Sequence, residues 1–516
     1  MKKIRFVSAV CAISALALAC GCAPYDGAAG DNWSTAPDAS DMWYGSDAWL
    51  AEGEGNYQYD SVLEQGFYDA AEAPSSYFSL DRNTAGYSLV RAQINAGMRV
   101  AADSVRLEEL VNYFDYDYPA PAEGETFGIS AYLADCPWNA EHKLMTVGLK
   151  TEEARSTGDA NYVLLVDVSG SMSGDRINLV KYGANKLVDG LGERDRVAIV
   201  TYASGVQTVL ESTAATEAGK TAIRSAIAGL NAYGSTSGSD GLQRAYEQAE
   251  AHRAENGNNR VIILTDGDFN VGISDTAQLT EFIQEKAKSG IALSVVGVGL
   301  GNTRDDLMQT LALNGNGNYC YIDSQTEAEK VFTQELAGML YTVAHDAKAG
   351  VTFNADMVSS YRLLGYDMKT MTEDDFNNSE KDAGEIGSNL CVTVMYEIVP
   401  AASDMGGTEG ALADVTVRYR TTQGEDAETT LAVTGSEGET DDARFAACVA
   451  EFALVLRQSR YCADASLAKV AERLNALGDY VEGDVYKREF AQLVTLAIQS
   501  EHYDLPSEDE GAQDGV

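Results

Sequence analysis

The sequence predicts an α/β fold: a doubly wound, mostly parallel sheet flanked by a β-sandwich-like region and a C-terminal helical domain. Three observations carry that expectation. Between residues 161 and 341, short uninterrupted apolar runs alternate with amphipathic segments. Beyond residue 345, strand-like pieces alternate apolar and polar residues with period two. The stretch 437–502 shows only the helical period.

The chain has 516 residues, with 37 Lys+Arg against 79 Asp+Glu and a formal net charge of −42. Nucleic acid and anionic membrane surfaces need clustered cations, so this excess argues against both. No uncharged apolar run of ~18 residues exists, which excludes a multi-span membrane protein.

In chain order, residues 1–22 read as a lipoprotein signal peptide and lipobox. Lys2, Lys3 and Arg5 precede an apolar run, Phe6 to Ala19, that ends at Cys20-Gly21-Cys22. The run is too short to span a bilayer. Both Cys20 and Cys22 are candidates for acylation, and an ordinary cleaved signal is the alternative. The expected location is the cell membrane, lipid-anchored and facing outside the cytoplasm. Residues 23–78 carry only acidic charges among Gly, Ala, Ser and scattered aromatics, which predicts a disordered tether. Residues 79–155 form an N-terminal segment with two short helices, Thr84 to Ala96 and Val105 to Phe114, and strand-like pieces after them.

Residues 156–345 are the α/β domain. Tyr162–Val166, Val197–Thr201, Val261–Leu264 and Leu293–Val298 are apolar and β-branched throughout, as in strands buried on both faces. Amphipathic helices lie between them. Residues 346–436 are β-rich: Val392, Val394, Tyr396 and Ile398 alternate with their neighbours, as do Val415, Val417 and Tyr419, predicting half-buried antiparallel strands. This region is expected to pair with 79–155, because each half alone would leave an open sheet edge. Helices fill 437–502, and 503–516 is an acidic tail. Cys136, Cys320, Cys391, Cys448 and Cys462 are widely spaced without C-x-x-C, so a zinc site is not expected and any disulfide pairing is unreadable.

Chemistry concentrates in three polar loops. Asp167-Val-Ser169-Gly-Ser171 directly follows the first buried strand, where parallel sheets bind ligands. Gly234-Ser-Thr236-Ser-Gly opens a helix, and Thr265-Asp266-Gly-Asp268 follows another strand. Hydroxyls and carboxylates without His or Cys suit Mg²⁺, Mn²⁺ or Ca²⁺. The run from Asp266 to Ala277 imitates an EF-hand but has Gly at the seventh position and Ala at the twelfth, so no calcium loop is expected. No H-E-x-x-H, G-x-S-x-G or Walker motif is present, and no base is identifiable for Ser169 or Ser171, so an enzyme is not expected.

These loops resemble the metal-ion-dependent adhesion site (MIDAS) of the von Willebrand factor type A (VWA) domain. The resemblance implies that Ser169, Ser171 and Thr236 ligate Mg²⁺ (or Mn²⁺ or Ca²⁺) directly, while Asp167 and Asp266 act through water. Arg106-Leu-Glu108-Glu-Leu-Val-Asn112-Tyr, Cys136-Pro-Trp138-Asn, Tyr361-Arg-Leu-Leu-Gly-Tyr366 and Arg444-Phe-Ala further resemble a bacterial VWA lipoprotein family. That family shows Asp at position 83 and Ser at position 86, where this chain has Asn83 and Gly86. The implied function is adhesion-type: a surface protein that binds a protein ligand presenting an Asp or Glu carboxylate. The alternative is a structural or assembly factor of the envelope in which the metal only stabilises the fold.

The anchor is directly testable. Labelled fatty acid is expected to enter the wild-type protein and to be lost when Cys20 and Cys22 are both replaced, the single variants showing which one is acylated. Release of the unaltered protein into the medium would contradict it.

Overall fold

The computed structural model describes residues 63–80, 82–153, 159–235, 241–255, 257–267, 276–299, 304–335, 342–381, 383–401, 410–434, 439–462, 464–500 and 503. Cys20, Cys22, most of the tether and nearly all of the acidic tail lie outside them. The first elements are strands β1 (Tyr68–Asp69) and β2 (Ser75–Ser79), helices α1 (Ala85–Asn95) and α2 (Leu107–Val111), and strands β3 (Phe127–Asp135) and β4 (Lys143–Thr151).

The α/β domain follows: β5 (Ala160–Asp167), α3 (Asp175–Gly190), β6 (Arg196–Tyr202), β7 (Val206–Ala214), α4 (Glu217–Ala228), α5 (Gly241–Ala251), β8 (Asn258–Thr265), α6 (Thr276–Lys288), β9 (Ala292–Val298), α7 (Asp305–Asn314), β10 (Tyr319–Ile322) and α8 (Gln325–Lys330). Its six strands lie in the order β10-β9-β8-β5-β6-β7. All pairings are parallel except β7 on β6, an antiparallel edge whose half-exposed alternation lacks the uninterrupted apolar run of its neighbours. Strand β5 lies inside the sheet, and all eight of its residues are buried. Helices cover both faces: α3 and α4 pack with Leu164 and Val166, while α5, α6 and α7 pack with Val163 and Leu165.

The remaining strands are β11 (Thr342–Phe353), β12 (Val358–Leu364), β13 (Gly384–Gly387), β14 (Cys391–Pro400), β15 (Ala413–Thr421) and β16 (Asp426–Val433), with α9 (Glu373–Asn377) after β12. They build a two-sheet sandwich with the N-terminal strands. One sheet runs β1-β12-β14-β4-β3, and the other runs β13-β11-β15-β16 with β2 also on β11. Strand β4 lies antiparallel to β14 from Lys150↔Cys391 to Lys143↔Ile398, joining strands on opposite sides of the α/β domain. The chain ends in α10 (Asp441–Leu456), α11 (Leu467–Ala476), α12 (Asp479–Glu482) and α13 (Val485–Gln499).

Two expectations need correction. Order begins before residue 79: the uncharged run Pro74–Leu80 lets Ser75–Ser79 pair with β11 and puts Phe78 in the sandwich core. Strand β14 is not half-buried. Val392 and Val394 face the other sheet, while Cys391 and Met395 meet the C-terminal helices, which the alternation could not reveal. Residues 79–155 divide between several cores. Their strands enter the sandwich, their helices α1 and α2 share a core with α10–α13, and Ala85 and Leu89 of α1 also pack on the α/β sheet.

Charge locks that joint. Arg91 of α1, 2% exposed, holds Asp323 through Nε (2.9 Å) and Nη2 (2.6 Å), Glu327 of α8 at 2.8 Å and Glu489 of α13 at 3.1 Å. The Tyr113 hydroxyl donates to Glu327 at 2.7 Å and accepts from Arg91 at 3.0 Å. Nearby, buried Lys330 pairs with Glu335 at 2.9 Å, and Arg106 pairs with Asp305 at 2.6 Å. The family-like residues serve the same joint. Asn112 mimics a strand edge, accepting from Thr393 N–H at 2.7 Å and donating to its carbonyl at 3.1 Å. Asn83 Oδ1 accepts from Tyr319 N–H, and Gly86 N–H donates to Glu109 at 2.8 Å, where a Cβ would press on the carboxylate at 2.9 Å. Trp138 donates to buried Glu397 at 3.0 Å, beside Arg362 at 2.6 Å.

Removing one partner of a buried ion cluster leaves the others desolvated and uncompensated, at a cost of about 3–5 kcal/mol. Arg91→Met is therefore expected to lower unfolding free energy in urea by about that amount. Adding Glu489→Gln should recover part of it. A loss below ~1 kcal/mol would show the cluster to be replaceable.

Candidate metal centre

Asp167 is the last residue of β5 and is fully buried. Its Oδ1 accepts the Ser169 N–H at 2.8 Å and its Oδ2 accepts the Thr265 hydroxyl at 3.2 Å, which fixes the carboxylate between two loops. Burial, with the charge of Asp266 adding to it, pushes the Asp167 carboxyl up to about 6 against hydrogen bonds that favour its ionised form. Beyond it the chain makes a short 3₁₀ turn, Gly170–Met172, that brings the Ser169 and Ser171 hydroxyls 3.0 Å apart.

The neighbouring loop is stitched to this turn by backbone. Tyr233 N–H donates to Val168 O at 2.7 Å, and Gly170 N–H donates to Gly234 O at 3.0 Å. A Cβ at position 170 would sit 3.1 Å from that carbonyl, so glycine permits the close approach. Ser235 N–H donates to Ser204 Oγ at 3.0 Å. Thr236 itself lies outside the described residues, as does Asp268, but the residues leading into Thr236 are held beside the Asp167 loop.

Asp266 follows β8 and is 5% exposed. Its Oδ2 pairs with Arg176 Nη1 at 3.1 Å, and the same nitrogen donates to Ser171 O at 2.7 Å. Its Oδ1 is buried and has no hydrogen-bond partner among the described residues. The structure thus brings together Asp167, Ser169, Ser171 and Asp266. Two partners were not singled out from sequence. Thr265 was visible only as the first letter of T-D-G, and Arg176 resembles any cation on a helix surface.

The donor set fits a hard divalent cation. Two buried carboxylates lie beside the adjacent hydroxyls of buried Ser169 and exposed Ser171, and one carboxylate oxygen lacks a donor among the described residues. Among the described residues, no group of three or more His, Cys, Asp or Glu side chains is placed to hold a metal, so a cation here would depend on the hydroxyls as well as the two carboxylates.

The raised Asp167 carboxyl has a consequence for the metal-free protein. A group whose folded pKa exceeds its unfolded value of ~3.9 favours the fold when protonated, and that contribution is lost as pH rises to about 6. In EDTA, Asp167→Asn is expected to stabilise the protein at pH 7 by about 1–3 kcal/mol and to flatten the stability profile between ~pH 4 and ~pH 6. Thermal melts across that range check it, and a destabilised variant would contradict it.

Family models match most of the chain. A model described as von Willebrand factor type A domain matches residues 161–334, one described as von Willebrand factor matches 54–146, and one described as Uncharacterized protein YfbK, C-terminal, matches 338–499. The chain is 35% identical over 471 residues to Uncharacterized protein YfbK of Escherichia coli (strain K12), spanning 86% of this chain and 81% of that protein. It is 29% identical over 191 residues to inter-alpha-trypsin inhibitor heavy chain H3 of Mesocricetus auratus, spanning 35% of this chain but only 21% of that one. Among solved structures, a von Willebrand factor type A protein from Catenulispora acidiphila aligns over 73% of this chain and 88% of its own, with a TM-score of 0.39 and 16% identity. The chain belongs to the YfbK family of VWA-domain proteins.

Proposed function

We propose that this protein binds a protein partner through a divalent cation held at the carboxyl end of the α/β sheet, while a lipid anchor keeps it on the outer side of the cytoplasmic membrane. One observation carries the reading: buried Asp167 and Asp266 converge with the paired hydroxyls of Ser169 and Ser171, and Asp266 Oδ1 lacks a hydrogen-bond partner among the described residues. Ser169, Ser171 and Thr236 would hold the cation, with Asp167 and Asp266 behind them. When bound, Mg²⁺ or Mn²⁺ would supply a Lewis-acidic coordination position that an Asp or Glu carboxylate of the partner can fill. The chain's own residues orient and neutralise. Asp167 is locked by Ser169 N–H and Thr265, and the Gly234 carbonyl clamps the serine turn.

A non-enzymatic role is part of the proposal. Ser169 and Ser171 hydrogen-bond each other, and His142 and His345 pair with Glu397 and Glu385, far in sequence from the serine turn. The charge of −42 leaves partner selection to the local cation, since long-range repulsion opposes an acidic ligand at low salt.

Binding partners captured from an envelope extract are expected to require Mg²⁺ or Mn²⁺ and to be lost with Asp167→Ala or Thr236→Ala, both variants remaining folded by circular dichroism. Calorimetry with the recovered partner should show loss of affinity when one of its carboxylates becomes an amide. Affinity unchanged in EDTA, with a metal-dependent melting temperature, would instead favour the structural or assembly role.

A further inference from the structure

We infer that Arg176 is an affinity-setting residue of the metal site: its fixed positive charge shares Asp266 with the cation and keeps metal affinity low. The inference rests on the metal-binding reading proposed above and adds the residue that regulates it.

Arg176 lies in the first turn of α3, Asp175–Gly190. A cation there is opposed by the positive end of the helix dipole, so helix stability does not account for it. Its partners do. One guanidinium nitrogen reaches both Ser171 O, at 2.7 Å, and Asp266 Oδ2, at 3.1 Å, bridging two of the three loops that make the site. The side chain is 22% exposed, so solvent only partly screens its charge.

A separate observation shows that the fold makes room for this arm. Gly299, just after β9, has φ +76°, and a Cβ there would lie 2.4 Å from Arg176 Nε, 2.8 Å from Cγ and 2.9 Å from Cδ. Any other residue would displace the arm. The arm therefore passes over a glycine, with its charge set against the Asp266 carboxylate.

Two effects oppose one another. Holding Asp266 in place favours a cation, while a positive charge beside Asp266 repels one and neutralises half of the carboxylate pair. A divalent ion doubles the Coulomb term, and the cluster's burial keeps the effective dielectric below water's, so repulsion prevails. Affinity is then low until a partner carboxylate adds the missing negative charge.

Calorimetric titration of the full-length protein with Mn²⁺ tests this without any partner. Arg176→Gln, which keeps a side-chain N–H but removes the charge, is expected to tighten Mn²⁺ binding by at least about threefold. Arg176→Lys, which keeps the charge, should stay within about twofold of wild type. Raising the salt should narrow the gap between wild type and Gln. Unchanged or weaker binding by Arg176→Gln, with wild type binding Mn²⁺, would overturn the inference and leave the metal site standing. Absence of Mn²⁺ binding by wild type and both variants would overturn the metal reading itself, and this inference with it.

Discussion

The buried guanidinium of Arg91 is the constraint on which the architecture turns. It sits on a helix that precedes the α/β domain, yet its acids come from the loop after β10, from α8 and from α13. A charge with 2% exposure cannot be left without partners, so α1 cannot leave the joint without stranding Arg91 or its carboxylates. Burial raises Glu489 and Glu327 above the ordinary carboxylate range, and Arg91 offsets part of that in each. The cluster holds more acid than base, so Arg91 is its scarcest member and the least replaceable.

From that joint the rest follows by covalent continuity. After α2 the chain enters β3 and β4, which pair with each other, and the pairing of β4 with β14 joins the strands on either side of the inserted α/β domain. The sandwich sheet buries one face against its partner sheet and the other against α10–α13. The α/β sheet is tied at its β10 edge, by α1 and Asn83, and leaves the loops after β5 and β8 for polar chemistry. The rigid joint and the candidate site thus occupy different places on one sheet.

Much of this was legible in the sequence, for identifiable reasons. Val163 to Val166 read as strand because burial on both faces removes polar residues, and the loops after β5 and β8 read as a site because hydroxyls and carboxylates are otherwise costly there. The Val392–Ile398 alternation located β14 but could not show what lay over Cys391 and Met395. Strand β7 was missed because its edge position leaves alternate residues in water. Strands β1 and β2 were missed because acidic neighbours dominate the composition around them. The Arg91 cluster was invisible: Arg91 and Glu489 stand 398 residues apart, and nothing local distinguishes them from surface charges. Arg176 was hidden likewise, since only the fold places it above Gly299 and beside Asp266.

The central claim is that α1 makes the α/β domain and the C-terminal helices one cooperative unit. Native-state hydrogen exchange of the metal-free protein tests it most directly. The account predicts that slow amides of α1, of α13 and of β5 share one opening free energy and one denaturant dependence. Exchange of α13 through a separate, lower-energy opening that leaves α1 and β5 protected would contradict it.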